Sequence, residues 1–120
     1  MKILVCEDDI MIIKAIEHKL KSEGHVVEYA LDGNQAIQKI HETDYDLIMT
    51  DLLMPFIGGI ELINTIRNEL HLEIPIIVLS TLSHEDSIIE AFKLGADDYI
   101  TKPFSPNEVS IRVRRLLIKR

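Results

Sequence analysis

The stretch Lys2-Ile3-Leu4-Val5-Cys6-Glu7-Asp8-Asp9 decides how the rest of the chain is read. An apolar run of strand length passes directly into three acids, with no alternation of polar and apolar positions. A strand that is apolar at every residue is buried on both faces, the condition of a parallel sheet with helices on each side. Farther along, Leu47-Ile48-Met49-Thr50 runs into Asp51, Ile76-Ile77-Val78-Leu79 into Ser80-Thr81, and Tyr99-Ile100-Thr101 into Lys102-Pro103. Each run ends in a chemically useful side chain. Parallel strands would deliver all of these ends to one edge, and in open α/β sheets that edge is where ligands bind.

The segments between the runs carry helical periodicity. After strand one, at about Lys2 to Glu7, a helix is expected from Ile10 to Ser22, with Ile12, Ile13, Ile16 and Leu20 on one face and Gly24 ending it. Strand two is expected at Val26 to Ala30, helix two at Gly33 to His41, strand three at Tyr45 to Thr50 and helix three at Gly59 to Leu70. Pro75 opens strand four, Glu85 to Leu94 forms helix four before Gly95, and Asp98 to Thr101 forms strand five. Ser105 is a good N-cap for a fifth helix with Pro106 at its first position. Five βα units without a linker or low-complexity stretch describe one doubly wound three-layer α/β sandwich over residues 1–120. Right-handed crossovers bring the loops after strands one, three, four and five to a common rim.

Composition narrows the class. At 120 residues the chain supports one domain. Its apolar fraction of 47% with only 5% aromatics fits a core of Ile, Leu and Val. A net charge of -7 argues against a nucleic-acid-binding domain, which is usually basic. The single Cys6 makes no internal disulfide and reads as a small buried hydrophobe, in keeping with a cytoplasmic location. No apolar stretch approaches the roughly 18 residues of a membrane span.

Glu7, Asp8 and Asp51 at one rim repel one another, which raises at least one carboxyl pKa unless a cation intervenes. An all-oxygen cluster of this kind suits Mg²⁺ better than zinc. Asp9, just before Ile10, is placed to cap the first helix. Taken alone, the three N-terminal acids also read as solvated helix-capping residues. Lys102 offers a point charge for a phosphoryl oxygen and Ser80 a hydroxyl, although each in isolation is also an ordinary polar residue at a strand end. Their joint placement in one ordered βα series favours a phosphate-handling pocket.

The segments Lys2 to Asp9, Asp46 to Asp51 with Met54-Pro55 and Gly59, and Gly95-Ala96-Asp97-Asp98-Tyr99-Ile100-Thr101-Lys102-Pro103-Phe104 resemble the receiver domain of two-component response regulators. The resemblance runs over essentially the whole chain, and the strand order 2-1-3-4-5 of a flavodoxin-like fold follows from it rather than from the pattern. It implies that Asp51 is a phosphoacceptor that takes its phosphoryl group from a sensor histidine kinase or phosphotransfer protein. Glu7, Asp8 and Asp51 are then the Mg²⁺ carboxylates, with the Leu53 backbone carbonyl as a further ligand. Lys102 pairs with the phosphoryl group, Ser80 is the switch hydroxyl and Tyr99 the aromatic switch. Lys102-Pro103 matches a cis peptide bond of the family. Helix one and the loop after strand five are the implied kinase-docking surface.

Residues that vary within the family add individual expectations. Leu53 and Leu82 stand two positions beyond the phosphoacceptor and the switch hydroxyl, and neither orients a water, so slow autodephosphorylation is expected. Gly95 to Pro106 resembles the class with a C-terminal winged-helix DNA-binding domain, in which receivers dimerise through helix four, strand five and helix five. Asp98 and Arg112 match a cross-dimer ion pair of that class. Arg112, Arg115 and Lys119 form a basic stripe on helix five, which also reads as a solvated helix end complementing the dipole. Val109, Val113, Leu116 and Leu117 form its apolar side. Ile88 stands where the class has a basic partner for Glu108, and Lys93 where it has an acid facing Arg114, so a weakened or altered dimer is expected. With helix five expected to end near Arg120, the chain holds no effector domain and no nucleic-acid contact of its own.

Two other readings compete. A phosphohydrolase with an aspartyl nucleophile needs a general acid two residues after it, where Leu53 stands. A pseudo-receiver, a binding module not controlled by phosphorylation, usually lacks the acid pair, the phosphoacceptor or the lysine, and this chain has all of them.

Overall fold

The structure, a computed structural model, describes residues 1–118. The strands are β1 (Lys2–Cys6), β2 (Val26–Ala30), β3 (Leu47–Thr50), β4 (Ile76–Ser80) and β5 (Asp98–Thr101). The helices are α1 (Ile10–Ser22), α2 (Gly33–Glu42), α3 (Gly59–Asn64), α4 (Glu85–Leu94) and α5 (Pro106–Ile118). All pairings in the sheet are parallel and the order is β2-β1-β3-β4-β5. This is the expected flavodoxin-like (βα)5 sandwich.

The continuous apolar runs are buried on both faces, as their composition requires. On one side Ile3 and Val5 of β1, Leu47 and Met49 of β3, and Ile77 and Leu79 of β4 meet Ile16 and Leu20 of α1 and Val109 and Val113 of α5. On the other side Leu4, Ile48, Ile76 and Val78 meet Ala36 of α2, Leu62 and Ile63 of α3, and Ala91 of α4. The active edge is formed by the C-terminal ends of β1, β3, β4 and β5, with adjacent β1 and β3 leaving the sheet toward helices on opposite faces.

Boundaries depart from the sequence reading in places with physical causes. Strand three begins at Leu47; at Asp46 the N–H still donates to the Lys2 carbonyl at 2.7 Å, but the Lys2 N–H is taken by the Asp46 carboxylate, also at 2.7 Å, rather than by a further β3 carbonyl. Helix three is regular only to Asn64. From Thr65 to Glu69 it widens into a π-helix, and the Leu70 N–H donates to the Thr65 carbonyl at 2.9 Å. Arg67 emerges from this wide turn and donates to the carbonyls of Gly95 and Leu72 and to Asp97. Gly95 ends α4 at φ 118°, a conformation that favours glycine, and the Arg67 side chain occupies the space a Cβ would need. The Lys102–Pro103 peptide is cis. Lys119 lies outside the described residues.

Candidate functional site

β1 ends at Cys6, and the acids that follow take different directions. Glu7 turns inward and is only 1% exposed, whereas Asp8 stays in solvent. Asp9 caps α1, its Oδ1 accepting the Met11 N–H at 2.9 Å, and its own N–H donates to Glu7 Oε1 at 3.3 Å. β3 delivers Asp51, which is buried as well. Carboxylate oxygens of Glu7, Asp8 and Asp51 all lie within 4.8 Å of one another. The cluster deduced from two separated stretches of sequence is therefore one site.

Lys102, from the end of β5, reaches across it. Its Nζ donates to Glu7 Oε2 at 2.9 Å and to Asp51 Oδ2 at 2.8 Å. Burial pushes the Glu7 carboxyl above its ordinary range, aided by the Asp51 charge, while the Lys102 hydrogen bond works against this. Burial acts to lower the Lys102 pKa, but hydrogen bonds to Asp51 and Glu7 outweigh it, and the ammonium is held above its usual range. The remaining oxygen, Asp51 Oδ1, accepts the Leu53 N–H at 3.1 Å. Three carboxylates facing one ammonium leave an excess of negative charge, and an all-oxygen donor set with one solvent-facing member fits a hard divalent cation.

Ser80 closes β4 in a fully buried position, and its Oγ accepts the Leu82 N–H at 3.1 Å. Tyr99 packs in the core beside it, and its hydroxyl donates to the Leu82 carbonyl. Leu53 and Leu82 line one cleft of about 270 Å³ with Leu52, Ile60, Asp86 and Glu90. The two leucines paired from sequence thus line the same cleft, two positions along the chain from Asp51 and Ser80. A second cleft, of about 480 Å³, lies between α1 and the segment after β5, lined by Met11, Ile12, Thr81, Pro103, Phe104 and Pro106. Lys102 also borders it. Buried Cys6 has its thiol pushed up by burial, which keeps it a protonated core residue.

Comparison with known proteins accounts for this arrangement. The family model of the response regulator receiver domain matches residues 3–114. The chain belongs to that family. This receiver is 42% identical over 116 residues to the transcriptional regulatory protein ResD of Bacillus subtilis, a match covering 97% of this chain and 48% of ResD. It is 39% identical to the alkaline phosphatase synthesis transcriptional regulatory protein PhoP of the same organism, over the same shares of both chains. The receiver spans about half the length of these curated relatives. Among solved structures, the Francisella response regulator 1452 receiver domain superposes with a TM-score of 0.93 at 39% identity, covering 98% of this chain and 97% of that one. The chemotaxis response regulator CheY4 of Vibrio cholerae gives 0.89 at 30% identity, covering 96% and 97%. Phosphorylation-dependent switching is the general function of the family.

The residues of β5 and α5 hold a geometry that sequence reasoning missed. Asp98 is 5% exposed, and within the one chain its Oδ1 accepts Arg112 Nη1 at 2.7 Å and its Oδ2 accepts Arg115 Nη2 at 2.9 Å. Arg112 also lies 3.5 Å from Glu108, and Arg114 lies 3.6 Å from Glu23. Spacing on α5 gave the basic stripe but not its intrachain partner on β5. Ser110 was missed too: it sits buried on the face shared with Val109 and Val113, and its hydroxyl contacts the Glu23 carboxylate at the end of α1. A polar residue on an apolar helical stripe was the available signal. Among the described residues no helix is long and apolar enough to cross a membrane.

Proposed function

We propose that this receiver is a phosphorylation-activated switch of a two-component system, with Asp51 as phosphoacceptor. One observation carries the reading: a buried carboxylate on β3 has one oxygen oriented by the Leu53 N–H and the other held by the Lys102 ammonium, beside Glu7 and Asp8. The donor is a phosphohistidine of a sensor kinase or phosphotransfer protein. An Asp51 oxygen attacks phosphorus in line with the P–N bond; the O–P bond forms as the P–N bond breaks, and the imidazole leaves with the electron pair and takes up a proton. Lys102 moves its hydrogen bond from Asp51 to a phosphoryl oxygen. Ser80 turns its hydroxyl toward the same group, with Tyr99 following. Glu7, Asp8, Asp51 and the Leu53 carbonyl would hold Mg²⁺, which supplies neutralisation of charge on the transferring phosphoryl group.

Phosphorylation biases an inactive–active equilibrium whose output is the α4–β5–α5 face, controlling a homodimer or an effector. Transcriptional control is the setting that fits the relatives' names, and we place it in the cytoplasm. A cross-dimer pair between Asp98 and Arg112 requires breaking an intrachain one, and Ile88 and Lys93 remove further complementarity, so the dimer is weak or altered. A tight phosphorylated dimer through this face in sedimentation experiments would contradict that. The receiver acts as one domain without contacting nucleic acid itself, in keeping with the net charge of -7.

Intact mass after incubation with Mg²⁺ and acetyl phosphate tests the reading. One phosphoryl adduct that is lost with EDTA and with Asp51→Asn supports it. Absence of the adduct from both acetyl phosphate and phosphorylated kinases favours the pseudo-receiver.

A further inference from the structure

Thr50, the last residue of β3, is fully buried, and a hydroxyl in that position must find a partner. Its Oγ1 donates to the carbonyl oxygen of Asp51 at 2.9 Å. That oxygen also lies 2.3 Å from where a Cβ on Gly59 would stand, so the start of α3 presses directly on the Asp51 peptide. Two further bonds close the turn: the Gly59 N–H donates to the Leu52 carbonyl at 3.0 Å, and the Leu53 N–H to Asp51 Oδ1 at 3.1 Å. The Asp51 carbonyl is thus held from the β3 side by a side-chain hydroxyl and from the α3 side by a bare Cα.

We infer that Thr50 is a positioning residue for the phosphoacceptor, its hydroxyl fixing the Asp51–Leu52 peptide and through it Asp51 Oδ1 and Leu53. This rests on the reading of Asp51 as phosphoacceptor and extends it by one residue. The hydroxyl touches no reacting atom. If it is removed, the Asp51–Leu52 peptide loses a restraint on rotation, and the Leu53 N–H one peptide farther on is less firmly placed against Asp51 Oδ1. A small error of placement here is costly, because in-line transfer depends on tight alignment of the attacking oxygen.

Threonine and valine have the same shape and the same preference for strands, so Thr50→Val removes the hydrogen bond while keeping volume. Thr50→Ser keeps the hydroxyl and drops a methyl. Mg²⁺ is titrated against the unphosphorylated protein by NMR, following the Leu53 amide, and acetyl phosphate labelling is timed by intact mass. In Thr50→Val the Mg²⁺ dissociation constant is expected to rise about tenfold, as for lost supporting contacts around metal ligands, with a shifted Leu53 amide and slower labelling. Thr50→Ser is expected to restore all three. If Thr50→Val does not fold, Thr50→Cys, with a poor donor of similar size, replaces it. Wild-type Mg²⁺ affinity and labelling in the hydroxyl-free variant overturn the inference, as does failure of Thr50→Ser to recover them. Failure of the wild type to label from either acetyl phosphate or phosphorylated kinases, with the Mg²⁺ effect intact, would instead remove Asp51 as phosphoacceptor and leave Thr50 positioning a metal site.

Discussion

The Tyr99 hydroxyl lies 2.6 Å from the carbonyl oxygen of Leu82, while the N–H of Leu82 donates to Ser80 Oγ at 3.1 Å. One residue of the β4–α4 loop therefore joins the aromatic ring of β5 to the hydroxyl at the end of β4. Ser80 cannot rotate away from Leu82 without loosening the loop that Tyr99 holds. In the proposed switch, this loop is the route by which a change at the acidic site would reach β5.

Replacing Tyr99 by Phe keeps the ring in the core and removes only the link to Leu82. Loss of one buried hydrogen bond costs on the order of 1 kcal/mol and leaves the Leu82 carbonyl without this donor. The expected outcome is a lower urea midpoint at unchanged m-value, together with weaker transmission to the output face. NMR shifts on β5 and α5 after phosphorylation measure the second effect, and full-sized shifts in Tyr99→Phe would contradict the linkage.

Leu53 and Leu82 share a cleft and offer no group that activates water. Leu53→Asn with Leu82→Glu introduces an amide and a carboxylate into that cleft. The aspartyl phosphate should then decay on the order of tenfold faster, short of the roughly 10²–10⁴ that a fully positioned base supplies. Loss of the adduct mass over time checks this, and an unaltered decay would show that these walls do not set the rate.

Phe56 has φ 66° and is 80% exposed, and the Ile57 N–H donates to the Pro55 carbonyl across it, closing a tight three-residue turn. The left-handed backbone costs a bulky residue about 1–2 kcal/mol, and glycine there loses about 0.5–1 kcal/mol more chain entropy on folding. Strain relief is the larger effect, so Phe56→Gly should stabilise the fold by roughly 0.5–1 kcal/mol. A lower thermal midpoint would mean that the ring makes contacts that outweigh its strain.

Ser110 holds the Glu23 carboxyl below its usual range by hydrogen bonding, with burial opposing and the Lys19, Arg114 and His25 charges assisting. A depressed carboxyl pKa stabilises the fold above the unfolded value and loses that contribution as pH falls through the folded one. Ser110→Ala should therefore cost on the order of 1 kcal/mol near neutral pH. Wild type and variant should converge in acid, below the unfolded carboxyl value of about 4.3. Denaturant unfolding across that range checks the convergence.

Much of the fold was legible because its strands are short, apolar throughout and regularly separated by amphipathic segments. α1, β2 and α4 fall on the expected residues. The site was legible because β1, β3, β4 and β5 each place a charged or hydroxyl residue immediately after the apolar run. The errors fall where a tertiary contact overrides local pattern. Tyr45 reads as strand, yet it lies before the start of β3, buried, with its hydroxyl on Glu28. Thr65 to Glu69 reads as ordinary helix, yet it widens where Arg67 reaches Gly95.

By itself the sequence determined the class of fold, the residues at the active edge and the chemistry they share, because period, punctuation and side-chain type are local properties. Only the tertiary structure decided which helix covers which face, since a strand buried on both sides carries no alternation to orient it. Only it paired Lys102 with Glu7 and Asp51, Asp98 with Arg112 and Arg115, and Thr50 with the peptide it steadies. Those pairings depend on hydrogen bonds of about 3 Å, and distances on that scale are set when the layers close, not by separation along the chain.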